Sequence, residues 1–423
     1  MRFSVFTPSH NLKNIDRPLN SLVNQTFKDF EWVILLNGDA ASQDSKLKED
    51  LAASKIKHTF VKDFQTDNKN IGYFKNKCCE NSKGKILVEL DHDDELTPDC
   101  LKEINKTFKK TNANFVYSDD FSVRIKEGKE TYEAPFDKKY GWKIHHIEGK
   151  QYHPAFEPHP LTFSYIHYAP DHVRAWEKSF YMDIGGHDIE LDVCDDFDLL
   201  CRTYIQGNCR RIPKPLYKFY FHDHNTSYGE KNEKIQNLTH ELHDKYIQAI
   251  AMKWCEDNGL KKVDLCSANN KPDGFIGTDK RKLNDEDIVV DLDEPNWPFE
   301  SGTVGLFRAN DAIEHLKDPI NTMKEIYRCL ADYGWALIEV PSSEERGAFQ
   351  DPTHVSFWNS NSFWYYTKKE MAHYIGSPVK FQLNRILNYY PTEWHAFHKI
   401  LYTKAHLVKL PNDGFVPPAG REI

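Results

Sequence analysis

Lys85-Ile86-Leu87-Val88-Glu89-Leu90-Asp91-His92-Asp93-Asp94 is an apolar run that ends in crowded carboxylates. Acids packed at the end of a strand repel one another, and a divalent cation that also grips a diphosphate relieves that repulsion. Thr97-Pro98 follows closely and reads as a helix start, where Asp is also common, so the same acids fit a decorated turn. Taken alone, the residues leave both readings open.

Working outward, the first half of the chain alternates short apolar strands with amphipathic stretches. Met1–Phe6, Glu31–Leu36 and Lys85–Leu90 read as strands, and Asp16–Gln25 as a helix. Such alternation predicts an α/β fold with a parallel sheet, whose ligands bind beyond the carboxyl ends of the strands. Thr7-Pro8-Ser9-His10-Asn11, Asn37-Gly38-Asp39 and the acidic turn all fall at those ends and are expected to share one crevice. From Glu230 to Asp257 the chain is polar and helical, and Gly259 supplies a stop. Alternation then restarts with Lys262–Cys266, Gly274–Asp279, Asp287–Asp291, Thr303–Arg308 and Ala336–Val340. The expected division is a first domain over 1–228, a helical linker over 229–259, a second and smaller α/β domain over 260–410, and a loose tail over 411–423.

The bulk properties agree with that division. A chain of 423 residues exceeds what one core organises. No apolar run is long enough to cross a bilayer, and Met1-Arg2-Phe3-Ser4 opens a strand rather than a signal peptide, so a cytoplasmic location is expected. The 9 cysteines are scattered with no Cys-x-x-Cys pair and read as reduced thiols. A net charge of -9 argues against a general nucleic-acid binder.

Several motifs in order carry a family resemblance. Phe6-Thr7-Pro8-Ser9-His10-Asn11, Ser21-Leu22-Val23-Asn24-Gln25-Thr26-Phe27, Asn37-Gly38-Asp39, Asn70-Ile71-Gly72-Tyr73-Phe74-Lys75-Asn76 and Leu90-Asp91-His92-Asp93-Asp94 together resemble the family-two inverting glycosyltransferases of the Rossmann-like GT-A fold. The resemblance implies transfer of a sugar from a nucleotide-diphosphate donor, UDP-sugars favoured, to a hydroxyl acceptor such as a glycan. It implies donor contacts from Thr7, Pro8, Asn11, Asn37, Asp39, Lys75, Asp91 and His92. Asn37 stands where the family has Asp, and Lys75 where it has Arg, which exchanges a bidentate fork for a point charge. The acidic turn is in the register of the Asp-x-Asp metal motif. Asp93 would ligate Mn²⁺ or Mg²⁺, with Asp91 at the ribose or the metal, since oxygen ligands suit these cations.

Transfer to a hydroxyl also needs a carboxylate that takes the acceptor's proton. Gly185-Gly186-His187-Asp188 and Cys194-Asp195-Asp196-Phe197-Asp198 resemble the family's Gly-Gly and Glu-Asp segments, which puts Asp196 at the base and Asp195 in place of the usual Glu. Gly186, His187, Asp195 and Trp176 belong to the acceptor region. By itself this pattern is also that of a helix N-terminus rich in Asp. Phe221-His222-Asp223-His224 resembles the closing motif, and His222 is the candidate third metal ligand, with a surface histidine as the alternative. The stretch holding His145, His146, His153, His159, Tyr165 and His167 matches no zinc spacing and suits acceptor recognition.

Residues 260–410 resemble class I methyltransferases that use S-adenosylmethionine, on Val263-Asp264-Leu265-Cys266-Ser267-Ala268, Gly274-Phe275-Ile276-Gly277-Thr278-Asp279, Asp287-Ile288-Val289-Val290-Asp291, Asp311-Ala312-Ile313-Glu314-His315 and Asp351-Pro352-Thr353-His354. Asp264, Asp279 and Asp291 would form the cofactor site. Cys266 and Ala268 replace both glycines of the first loop, where the backbone turns tightly. The domain is accordingly read as an active methyltransferase, a weak cofactor binder or a retained scaffold. For the whole chain the alternatives to a metal-dependent glycosyltransferase are a bifunctional enzyme that also methylates, a non-catalytic binding protein, and an enzyme that glycosylates a nucleic-acid base.

Overall fold

The computed structural model describes residues 1–64, 70–133, 143–165, 170–221, 231–282 and 287–411. His222, His224 and His167, and the tail from 412, lie outside the described residues. The chain forms two compact units, Met1–Tyr246 and Ile247–Ile423.

The first unit is built on strands β1 (Phe3–Ser9), β2 (Phe30–Asn37), β3 (His58–Asp63), β4 (Ile86–Glu89), β5 (Glu95–Leu96), β6 (Phe115–Lys126), β7 (Lys129–Glu133), β10 (Arg174–Glu177) and β11 (Cys209–Tyr220), with a separate hairpin of β8 (His145–Ile147) and β9 (Lys150–Tyr152). Their order is β3-β2-β1-β4-β10-β6-β11-β5, with β7 paired to β6. Strands β1 to β4 run parallel, whereas β10 runs antiparallel to both β4 and β6. Every residue of β1 is buried, as is nearly all of β2, which is why they read as continuous apolar runs rather than alternating ones. Helices α1 (Asp16–Val23), α2 (Ser45–Ser54), α3 (Ile71–Glu80), α4 (Cys100–Lys110), α5 (Pro160–Tyr165), α6 (Lys178–Asp183) and α7 (Asp195–Gln206) accompany the sheet. The main core joins Val5, Trp32, Ile34 and Val88 to Leu101 and Ile104 of α4.

Two features position the site. The carboxyl ends of β1, β2 and β4 share one edge, and because β10 is reversed, its first residue comes to that edge as well. Ala175 pairs with Val88, so one step further Arg174 meets Glu89. The helix expected near Thr97-Pro98 begins at Cys100 instead, because Glu95 and Leu96 pair with β11 and the Thr97 amide donates to Leu216 O.

Helix α8 runs unbroken over Lys231–Asn258 and ends at Gly259, whose φ of 64° suits a left-handed cap. The boundary between the units falls inside this helix, after Tyr246, so the stretch expected as a linker is shared by both units.

The second unit holds β12 (Lys261–Asp264), β13 (Ile276–Asp279), β14 (Ile288–Val289), β15 (Val304–Asn310), β16 (Leu330–Pro341), β17 (Phe381–Tyr389) and β18 (Tyr402–Lys409), with α9 (Pro319–Cys329) between β15 and β16. The order β14-β13-β12-β15-β16-β18-β17 reverses direction of travel between β12 and β15, the switch point where doubly wound sheets bind ligands. The segment between β12 and β13 contains no helix, in keeping with its shortness.

Candidate functional site

The acidic turn is fixed by its neighbours before any ligand arrives. Asp94 is buried: its Oδ1 accepts the Tyr220 amide at 2.8 Å and its Oδ2 the Tyr217 hydroxyl at 2.9 Å. Tyr217 Oη also accepts the Asp91 amide at 3.1 Å, and Arg17 Nη1 donates to Asp93 O at 2.9 Å while its guanidinium lies 4.0 Å from the Tyr220 ring centre. Asp91, His92 and Asp93 are left half-buried on this braced turn. Asn11 Nδ2 lies 3.2 Å from His92 Nε2, which brings the first loop onto the turn. Burial, reinforced by Glu89 and Asp93, pushes Asp91 above its ordinary value despite His172, whose Nε2 is 3.8 Å away.

Beneath the turn lies a chain of buried charges. Glu89 ends β4, and its Oε1 is 2.8 Å from Lys75 Nζ on α3. The same ammonium is 3.3 Å from Asp195 Oδ2 at the start of α7. Arg174 Nη1 reaches Asp196 Oδ2 at 3.2 Å and Glu89 Oε2 at 3.7 Å. Burial opposes the ionisation of Asp196, but Arg174 and Lys75 outweigh it and hold the acid below its usual range. Its neighbour goes the other way: burial pushes Asp195 up to about 6, with Asp196 and Glu89 adding to it. The two adjacent carboxyls are thus driven apart in their affinity for protons.

In the second unit, Cys266 and Ala268 adopt φ of 50° and 42°. The loop after β12 therefore keeps the left-handed turns that glycine ordinarily supplies, with L-residues in them.

Two family models match different parts of the chain. Residues 4–164 match the family described as Glycosyl transferase family 2. The chain carries a family-two glycosyltransferase domain. Residues 243–384 match a methyltransferase domain. An uncharacterized glycosyltransferase of Methanocaldococcus jannaschii is 27% identical over 220 residues, 49% of this chain and 73% of that protein. A chondroitin synthase of Escherichia coli is 26% identical over 62% of this chain but only 35% of its own length. Among solved structures, S. aureus TarS 1-349 in complex with UDP-GlcNAc aligns with a TM-score of 0.45 and 16% identity, over 60% of this chain and 73% of that one.

Within the glycosyltransferase domain, several expected contacts are committed to the fold. Thr7 is buried, its Oγ1 donating to Leu90 O at 2.7 Å and accepting the Trp32 indole N–H at 2.9 Å, so its hydroxyl ties three strands together and is not exposed to a donor. Pro8 is buried beside it. Lys75 is 8% exposed and paired with Glu89 and Asp195, which makes it a counter-ion beneath the site rather than a charge facing the donor. Trp176 is a core residue, not an acceptor contact: it is 1% exposed, and its indole N–H donates to Thr203 Oγ1. Asn37 ends β2, and Asp39 lies exposed in the next turn on the same edge.

The Gly186-His187 segment is clamped against α3. Asn76 Nδ2 donates to His187 O at 2.7 Å, and its Oδ1 accepts the His187 amide at 2.9 Å. A Cβ at Gly186 would sit 2.6 Å from Asn76 Oδ1, so only glycine allows that closeness. His187 is fully buried, and burial, helped by Lys75, keeps its ring neutral. A cavity of about 380 Å³ is lined by Asn76, His187, Asp198, Arg202 and Tyr246 among others, but by neither the acidic turn nor Asp196, so it lies outside this constellation.

Sequence reading missed Glu89, Arg174 and His172. A signal existed for Glu89, a charge inside an apolar run, which needs a buried partner. In the methyltransferase-like domain, Asp264 is buried and gripped by Arg308 Nη1 at 2.9 and 3.0 Å, so it braces the sheet instead of facing a cofactor. Asp279 ends β13 and accepts the Arg281 amide, and Asp291 lies 3.0 Å from Lys280 Nζ.

Proposed function

We propose that the N-terminal domain transfers a sugar from a nucleoside diphosphate donor, UDP-sugars foremost, to a hydroxyl acceptor with inversion. The observation that carries this reading is the ionised Asp196, held by Arg174 beside a carboxyl of raised affinity for protons, in a domain of glycosyltransferase family 2. An acid that stays ionised at neutral pH is suited to take the acceptor's proton as its oxygen attacks the anomeric carbon and the nucleoside diphosphate departs. Arg174 would keep Asp196 oriented and charged, while Lys75 neutralises Glu89 and Asp195 behind it.

Mn²⁺ or Mg²⁺ fits the acidic turn, because the donor set is oxygen and Asp91 is crowded by Glu89 and Asp93, charge that a cation relieves. Asp91 and Asp93 would hold the ion, which would take up charge on the leaving diphosphate. The test is thermal stabilisation by UDP-, GDP- and dTDP-sugars with and without Mn²⁺, followed by donor turnover. Metal-dependent stabilisation by one donor class, lost in Asp93→Ala, and turnover lost in Asp196→Asn are expected. Stabilisation by no donor, together with no donor turnover, would leave a non-catalytic domain.

A second reading concerns the methyltransferase-like domain. The left-handed turns at Cys266 and Ala268 favour S-adenosylmethionine binding over a decayed loop. Calorimetry decides it: no heat at about millimolar cofactor removes that reading.

A further inference from the structure

The second unit brings two imidazoles and a buried acid together at the carboxyl edge of its sheet. After β15 the chain makes a short turn over Ile313–His315, which carries Glu314 and His315, and the loop following β16 brings in His354. One ligand atom from each of the three lies within 4.8 Å of the others. The two segments are stitched by their backbones, since the amides of Val355 and Ser356 donate to Glu314 O at 2.9 and 3.0 Å and Ser356 Oγ donates to Ile313 O.

Glu314 is 1% exposed, yet neither of its oxygens accepts a well-formed hydrogen bond. Burial makes this carboxylate costly to ionise with only loose backbone N–H contacts, its own and that of Ala312, to offset it, and Asp311 and Asp351 add negative charge nearby. His354 Nε2 lies 4.0 Å from Glu314 Oε1 and its Nδ1 lies 2.9 Å from Ala348 O, so Nδ1 carries the proton and Nε2 presents its lone pair to the acid. The same logic sets His315. The Thr353 hydroxyl donates to Asp351 Oδ1 at 2.6 Å, so toward His315 Nδ1 both Thr353 oxygens can only accept, and the free lone pair is again on Nε2. Imidazoles whose far nitrogen is anchored to a carbonyl are the usual form of metal-bound histidine.

We propose that Glu314, His315 and His354 form a divalent metal site. Two nitrogens and one carboxylate suit Zn²⁺, Co²⁺ or a similar borderline ion rather than Ca²⁺ or Mg²⁺. Three protein ligands leave a position for water or an oxygen of a bound small molecule, as catalytic rather than structural sites do. The site adjoins the first loop, where Cys266 Sγ lies 4.0 Å from Ala312 O. Phe349 and Phe357, both exposed with ring centres 4.9 Å apart, form an apolar rim beside it. The site is independent of the acidic turn and does not rest on sugar transfer.

The experiment uses the full chain with Asp93→Ala as background, stripped with chelator and titrated with Zn²⁺ by calorimetry and with Co²⁺ by visible absorption. A bound equivalent with a Co²⁺ d–d band is expected, weakened at least about 10- to 100-fold by Glu314→Gln, His354→Ala or His315→Gln. His315 is only partly buried, so its substitution keeps the test valid if the other two variants unfold. Absence of binding by the background chain, or binding that folded variants leave unchanged, overturns the site.

Discussion

Arg174 Nη1 stands 3.2 Å from Asp196 Oδ2, and the guanidinium that makes this contact is only 2% exposed. Asp196 titrates below an unfolded carboxylate, so its pairing stabilises the fold above about pH 4 and that stability is lost as pH falls through the folded value. Replacing Arg174 with Met removes the strongest force keeping Asp196 ionised. The acid limb of the transfer rate should move up by about one pH unit or more, and stability should fall by about 3–5 kcal/mol because Asp196 and Glu89 lose a buried partner. Rate profiles and urea unfolding measure the two effects separately. An acid limb that stays in place in a folded R174M chain would refute the link between the pair and the base.

Lys75 and Glu89 form the second buried pair, 2.8 Å apart, and Asp195 shares the ammonium. Lys75→Met should cost about 3–5 kcal/mol by orphaning Glu89, and Glu89→Leu should cost a similar amount. Removing both should cost clearly less than the sum, since neither charge is then left uncompensated. A double-mutant cycle by denaturant unfolding reads the coupling directly, and additive costs would mean that the two side chains do not depend on each other.

The legible part of the site was the part written in consecutive residues. Asp91-His92-Asp93-Asp94 and Asp195-Asp196 could be placed at a strand end and a helix start from local pattern, and only the family resemblance set the second beside the first. Arg174 was not legible, because its role depends on β10 running backwards between β4 and β6, a pairing over long sequence separation that leaves no local trace. Thr7 and Trp176 failed for the complementary reason: each matches a motif or a composition cue, yet tertiary packing uses its polar atom inside the sheet. In the second unit the missing glycines were visible, but the backbone shape that survives without them was not.

Asp93 and Asp94 are adjacent and should respond in opposite ways. Asp94 takes a tyrosine hydroxyl and a backbone amide, and burial, with Asp91 and Asp93 beside it, pushes its carboxyl well above the usual range. Asp94→Ala should cost about 1–3 kcal/mol by leaving the Tyr220 amide unpaired, whereas Asp94→Asn should cost less because the amide oxygen can still accept the Tyr220 N–H. Asp93→Asn should leave the melting temperature of the ligand-free chain within about a degree or two, yet remove Mn²⁺-dependent donor binding. Melting curves with and without UDP and Mn²⁺ distinguish them, and destabilisation by Asp93→Asn equal to that of Asp94→Ala would mean that Asp93 also holds the turn.

Ala268 offers a test of the altered loop that needs no ligand. Its φ of 42° is costly for a residue with a Cβ, by about 1–2 kcal/mol, and glycine removes that strain while adding freedom to the unfolded chain worth about 0.4–1 kcal/mol. Ala268→Gly should therefore stabilise the second unit by roughly 0.5–1 kcal/mol. The reverse change at Gly259, where φ is 64°, should destabilise by about 1 kcal/mol. If calorimetric unfolding shows Ala268→Gly to be destabilising, the left-handed turn is not the resting shape of this loop, and the argument for a surviving cofactor cradle falls with it.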